Sequence, residues 1–237
     1  MISNPKTKKA LIFDASSLIS LAMNGLLPIL EKLKKNFKGY FLITREVQYE
    51  VIERPLKIKK FKLEALMIQK LLKTKILETP EKIGLDIKDN QVSKRTNEIM
   101  EDINDLFITK GKPVEVIDLG ESSCLALSEM LSEKKMHSVI CMDERTTRVL
   151  IEKPSNLQNL LEKRLHSRIK SNKEFLDTLK RKQYKIIRSA ELMYLAYKKQ
   201  LFDISDSKLL DAVLYALKFK GCAISEQEIE EIKKLSK

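Results

Sequence analysis

No tryptophan occurs in the chain, and aromatic residues make up only 6% of it. So few flat side chains give no basis for sequence-specific reading of bases. Glycine and proline number six each, too few for a disordered or fibrous chain. Cys124, Cys141 and Cys222 lie far apart, with no CxxC or Cys/His spacing. That pattern speaks against a disulfide frame or a zinc site and predicts buried, reduced thiols. His137 and His166 are isolated, so neither is assigned a catalytic role. The chain has no glycine-rich loop to cradle phosphate, which disfavours an NTPase. No segment is long and apolar enough to span a membrane. Residues 1–30 resemble a weak signal peptide, with Lys6, Lys8 and Lys9 before an apolar stretch. Asp14 interrupts that stretch, however, and Gly25 and Pro28 break its continuation. A first strand followed by a helix fits better, and a cytoplasmic location is expected.

What is present is charge and a core. Of 237 residues, 43% are hydrophobic, and the net charge is +12. The length suits one large domain or two small ones, and the basic balance favours nucleic acid or another anionic surface as partner. Short apolar runs alternate with amphipathic helical stretches. This predicts an α/β fold built from βαβ units around a mainly parallel sheet. The expected strands are 10–14, 40–44, 75–79, 114–119, 138–142 and 185–188. Thr44 is placed to cap the helix that carries Val47, Glu50 and Val51. Residues 80–113 and 154–184 read as insertions into a single domain spanning 1–237. The first has little strand signal and an expected helix from Ser93 to Phe107. The second is basic and helical after Pro154. Residues 205–237 read as two helices joined near Gly221, with Ser225 and Glu228 in a capping-box pattern.

Acidic residues punctuate the ends of apolar runs. Asp14 ends the run Ala10-Leu11-Ile12-Phe13, and Glu50, Glu121 and Asp143 stand at comparable places, with Asp118 and Glu144 as outer candidates. Parallel neighbouring strands bring their C-terminal ends to one crevice, so these acids are expected to converge. A carboxylate pair at about 4 Å repels by about 4 kcal/mol at an effective dielectric near 20. A gathered cluster should therefore show raised carboxylate pKa values that a divalent cation reverses. Hard cations such as Mg2+ or Mn2+ favour carboxylate oxygens, and phosphodiester hydrolysis needs the charge neutralisation they supply. Each acid also has a local reading. Asp14 can cap the following helix, Glu50 can be an exposed helix residue, and Asp118 with Glu121 can form a capping box. Asp143 can cap a helix starting near Arg145.

Taken in order, these segments resemble the PIN-domain nucleases. The pieces that carry the resemblance are Leu11-Ile12-Phe13-Asp14-Ala15-Ser16, Thr44-Arg45-Glu46-Val47-Gln48-Tyr49-Glu50-Val51, Leu119-Gly120-Glu121-Ser122-Ser123-Cys124 and Val139-Ile140-Cys141-Met142-Asp143-Glu144-Arg145. The resemblance runs in discontinuous blocks from about residue 9 to 151. It departs at Glu121, where many members carry Asp, and at the two insertions. It implies a three-layer α/β/α fold with a mainly parallel sheet of about five strands. It also implies one or two Mg2+ or Mn2+ ions on Asp14, Glu50, Glu121 and Asp143, with Ser16 and Glu144 beside them. The implied activity is a metal-dependent endoribonuclease; a homodimer, an antitoxin or a ribonucleoprotein partner comes with the same resemblance.

Two basic stretches complete the reading. Residues 153–188 carry Arg164, Arg168, Lys180, Arg181 and Lys182 among eleven cations, with a leucine stripe at Leu157, Leu160, Leu161 and Leu165. Residues 54–75 carry Lys57, Lys59 and Lys60 directly after the Glu50 helix. These residues and Arg145 are the candidate RNA contacts, against the alternative of solvated surface. Arg148 is read as pairing with a glutamate, and Phe61 as core. Two other functions compete: a PIN-like scaffold that binds RNA without cutting it, and a dehalogenase-like phosphatase with Asp14 as nucleophile. The phosphatase normally needs an acid two residues on, where this chain has Ser16.

Overall fold

The computed structural model describes residues 9–235, with all side chains there except those of residues 173–175 and 180. Lys6 and Lys8 lie outside the described residues. From residue 9 the chain enters strand β1 (Lys9–Phe13) and then helix α1 (Ala15–Met23), as the sequence implied. Helix α2 (Leu27–Asn36) leads to β2 (Tyr40–Leu42), which pairs with β1 in parallel. Further along, β5 (His137–Cys141) pairs with the other side of β1, and β7 (Ile186–Ile187) pairs with β5. The principal sheet is thus four parallel strands in the order β2-β1-β5-β7. Order reverses between β1 and β5, and a crevice opens at the C-terminal ends of such neighbours.

The fold is α/β and largely helical, but the sheet is smaller than expected. Residues 75–79 contribute only one parallel bridge, Leu42 to Glu78, closed by Ile43 N–H to Glu78 O (3.0 Å) and Glu78 N–H to Phe41 O (2.9 Å). Lys75 has a positive φ of 59°, and a turn begins at Pro80, so pairing cannot extend. Residues 114–118 form no strand at all. Asn104 replaces a neighbouring strand: its Oδ1 accepts from Val116 N (2.7 Å) and Ile117 N (3.1 Å), while its Nδ2 donates to Ile117 O (3.1 Å).

Each insertion adds short strand to the helix expected of it. Helix α5 runs Asp89–Asn104 and is followed by β3 (Phe107–Thr109) and β4 (Lys112–Pro113). In the second insertion, α8 (Pro154–Leu165) and α9 (Lys173–Arg181) flank β6 (Lys170–Ser171). Strand β6 pairs with β3, so the two insertions meet in a small antiparallel sheet ordered β4-β3-β6. The C-terminal pair is as read: α11 (Leu209–Phe219) and α12 (Glu226–Lys234), the latter opened by the Ser225/Glu228 capping box.

Burial supplies the driving force. Ile12, Phe13, Leu42, Ile43, Ile140 and Met142 are fully buried along the sheet, continuous with the helices around it. Fully burying one such side chain contributes ~1.5–3 kcal/mol. All three cysteines are free and buried. Burial, together with nearby Asp143, pushes the Cys222 thiol up to about 12, and burial holds those of Cys124 and Cys141 well above the usual range. No helix among the described residues is long and apolar enough to cross a membrane.

Candidate functional site

The tips of β1 and β5 are fastened before any acid is considered. Asp14 N–H donates to Cys141 O at 3.0 Å, and the Ser17 hydroxyl reaches both Asp14 O and Cys141 O at 2.9 Å. Asp14 is the N-cap of α1 and only 2% exposed. Its carboxylate accepts from Ser16 N (3.0 Å) and from the Ser16 hydroxyl (2.5 Å). The same hydroxyl accepts from Asp143 N (3.0 Å), so Ser16 ties Asp14 to the β5 tip.

Glu50 arrives from a different element. Thr44 caps α3 (Arg45–Gln48), its side chain accepting from Val47 N, and a π-helical turn continues over Tyr49–Glu53. Such turns place an extra residue per cycle and recur at functional sites. Here the turn leaves Glu50 half-buried rather than on an exposed helix face.

Helix α6 (Leu119–Glu133) supplies two further acids at its first turn. Asp118 is the N-cap and accepts from Glu121 N (2.8 Å), while Glu121 accepts from Asp118 N (3.1 Å). The capping-box reading therefore holds, yet it does not exhaust the pair. Glu121 is 6% exposed and also accepts from the Thr147 hydroxyl at 2.9 Å. Asp118 is exposed and forms the mouth of the site.

Gly120 shows how closely these groups approach. A Cβ built on it would stand 2.7 Å from Glu50 Oε2, 3.5 Å from Asp118 Oδ1 and 3.8 Å from Asp14 Oδ1. Three carboxylates from three elements thus face one point that only glycine leaves open. Their electrostatics record the crowding. Burial, with Asp118 adding to it and Ser16 opposing, pushes Asp14 up to about 6. Burial, then Asp118 and Asp14, pushes Glu50 up to about 7 against the opposing charge of Arg54. Burial, then Asp118, Asp14 and Glu144, pushes Glu121 up to about 9.

Asp143 stands at the tip of β5. It is fully buried, but its carboxylate accepts from Ser189 N (2.7 Å) and the Ser189 hydroxyl (2.6 Å). It therefore serves the start of α10 (Ser189–Lys198), while its own N–H donates to the Ser16 hydroxyl that holds Asp14. The cap of α7 (Arg145–Glu152) is Glu144, which accepts from Thr146 N and Thr147 N. The charge of Glu144 bears on Glu121.

The basic candidates divide. Arg145, Lys57, Lys59, Lys60, Arg164, Arg168 and Arg181 are exposed. Lys182 is instead held by Glu129 at 2.7 Å, in a network with Arg95 and Tyr184. The Lys180 side chain lies outside the described residues. Arg148 is structural, donating to Ala223 O (3.2 Å) and facing Glu152 (3.7 Å). Phe61 is 38% exposed rather than core, with Lys60 Nζ 5.1 Å from its ring centroid.

Neither a protein-family model, a curated protein nor a solved structure matches the chain. Among the described residues, no three His, Cys, Asp or Glu side chains stand in position to hold one metal ion. The gathered side chains are carboxylates from separate elements, the donor chemistry that hard cations favour, and the charge of Arg54 bears on Glu50. The fit is one of donor chemistry and convergence, without a preformed cage.

Proposed function

We propose that this chain is a metal-dependent nuclease of the PIN type, with a three-layer α/β/α arrangement, acting on RNA. The observation that carries the reading is the meeting of Asp14, Glu50 and Asp118 over Gly120, with Glu121 buried beside them. Bound there, Mg2+ or Mn2+ would activate water and neutralise charge developing on a phosphodiester. Asp14, Glu50, Asp118 and Glu121 are the residues that would hold it. Ser16 fixes the Asp14 rotamer, and Thr147 fixes Glu121. Exposed Arg145, on the first turn of α7, is available to a phosphate oxygen of the substrate.

The test is incubation of purified protein with single-stranded and structured RNA in Mn2+ or Mg2+. Cleavage must disappear in Asp14→Asn; cleavage that survives points to another site or a contaminant.

Gly120→Ala separates geometry from folding. The new methyl meets only the far end of the Glu50 side chain within 3 Å, so that side chain moves and the backbone need not. Alanine gains ~1 kcal/mol over glycine inside a helix. The expected result is an unchanged or slightly raised melting temperature with cleavage reduced at least about ten-fold, about 1.4 kcal/mol in the barrier. Calorimetry and a cleavage assay on the same preparation check this.

Asp143→Asn should do the opposite. Its amide oxygen can still accept from Ser189 N–H, but its NH2 replaces the oxygen that accepts from the Ser189 hydroxyl, which weakens the contact at the start of α10. A buried hydrogen bond lost this way costs ~1–3 kcal/mol, and each kcal/mol moves the melting point by ~2–4 °C in a chain of this size. Cleavage per folded molecule is expected to stay within a few-fold of the parent. Thermal melts and active-fraction-corrected rates distinguish the two classes of acid.

A second reading is a PIN-like scaffold that binds RNA without cutting it, favoured by the lack of a preformed three-residue cage. It predicts RNA binding with no carboxylate-dependent uptake of Mn2+.

A further inference from the structure

The two insertions place cations side by side that are far apart in sequence. Lys110 and Lys112 lie in the β3–β4 hairpin, whereas Lys163, Arg164, Arg168 and Lys170 belong to the end of α8, the loop after it and β6. Pairing of β3 with β6 sets Ile108 opposite Lys170, and Thr109 opposes Lys112. All six cations are exposed, and none forms an ion pair among the described residues. The backbone that presents them is pinned. The Thr109 hydroxyl donates to the Ser167 hydroxyl (3.0 Å), Gln158 Nε2 donates to Ile169 O (2.9 Å), and Ile169 N donates to Glu162 Oε1 (3.0 Å). Phe107, at 0% exposure, anchors the sheet to the core. Glu162, the nearest carboxylate in sequence to these α8 cations, is thus engaged by backbone.

We infer that this small sheet is a docking face for the phosphate backbone of an RNA strand that extends from the acidic site. The inference deepens the nuclease reading and rests on it for the identity of the polyanion. Chain geometry supports the connection. Lys112 precedes Asp118 by six residues, so even a fully extended chain places their Cα atoms no more than ~22 Å apart. A strand lying on the sheet can therefore reach the mouth of the site within a few nucleotides. Cations at a distance from the carboxylates also resolve an electrostatic conflict, because a polyanion must be held close to a negative cluster.

The test is the salt dependence of binding of a labelled 20-nucleotide single-stranded RNA to the full chain in EDTA, read by fluorescence anisotropy. Each lost phosphate contact reduces the slope of log K against log salt by ~0.7 for a single strand. The quadruple change Lys110→Gln, Lys112→Gln, Arg168→Gln, Lys170→Gln is expected to lower the slope by about 3 and the affinity at low salt at least about ten-fold. The same positions changed to Arg or Lys, whichever is absent, should keep the parent slope, which covers the case of a misfolded Gln variant. A control quadruple of equal charge, Lys73→Gln, Lys134→Gln, Lys199→Gln, Lys220→Gln, should leave the slope unchanged. Equal loss in both quadruples, or no RNA binding by the parent chain, overturns the docking face. So does binding to phosphatidylserine vesicles that the first quadruple abolishes without any effect on RNA. Cleavage in Mn2+ is the separate readout: cleavage intact with an unaltered slope sinks only the docking face, and an altered slope without cleavage sinks only the nuclease.

Discussion

Asp14→Asn is expected to remove RNA cleavage while making the metal-free protein more stable. The two effects have one cause. Asp14 is buried against Asp118 and Glu50, and its carboxyl is pushed up to about 6 by burial and by Asp118. Asparagine keeps the shape, can still accept from Ser16 N and carries no charge to repel its neighbours. Loss of one preorganised charge-stabilising group costs ~100- to 1,000-fold in rate, and removal of a whole ligand carboxylate belongs at the upper end. Relief of repulsion at pH 8 should be worth at least ~1 kcal/mol, since one pH unit of displacement corresponds to about 1.4 kcal/mol. That appears as a melting temperature higher by at least ~2–4 °C in EDTA. A purely structural Asp14, acting only as an N-cap, predicts little change in melting temperature, because asparagine caps a helix about as well as aspartate, with any RNA chemistry unaffected.

The metal-free protein should also lose stability as pH rises, and divalent cations should restore it. Asp14, Glu50 and Glu121 titrate in the fold at about 6, 7 and 9, above their ordinary values of 3.8, 4.5 and 4.5. Between those limits the folded chain holds protons that the unfolded chain has released, so unfolding is favoured as pH increases. The contribution is fully present below about pH 4 and is lost progressively as pH rises through the folded values, Glu121 last. With half-exposed Glu50 discounted for solvent screening, the loss between pH 4 and pH 9 is on the order of several kcal/mol, or ~10 °C or more in melting temperature. Millimolar Mn2+ at pH 8 is expected to reverse most of it, because binding to the folded state alone adds stability. Thermal melts across pH, with EDTA or Mn2+, check both signs. A melting point that rises with pH in EDTA contradicts the electrostatic picture.

Much of the site was legible because it depends on local chemistry. The apolar run into Asp14 is both a strand and a cap, and Asp118-x-x-Glu121 is a capping box whose two carboxylates serve the site as well. Glycine at 120 makes sense only when Glu50, 70 residues earlier, is seen against it. Asp143 likewise has partners that its neighbours in sequence do not reveal. Two acids follow β5, and the first accepts from a backbone N–H and a hydroxyl of Ser189, 46 residues on. Residues 114–118 have strand-like residues, but the side chain of Asn104 satisfies their backbone in place of a neighbour. The β3–β6 pairing joins strands of three and two residues across two insertions, too short for alternation to register. The small second sheet and the irregular course of residues 114–118 therefore rest on long-range partners that no local pattern names.

Calorimetric titration of Mn2+ into the parent chain and into Glu121→Gln at pH 7.5 tests the central claim most directly. The account predicts saturable uptake by the parent, accompanied by proton release, and at least about ten-fold weaker uptake by the variant, about 1.4 kcal/mol. Uptake that is absent from the parent, or identical in the two, would contradict it.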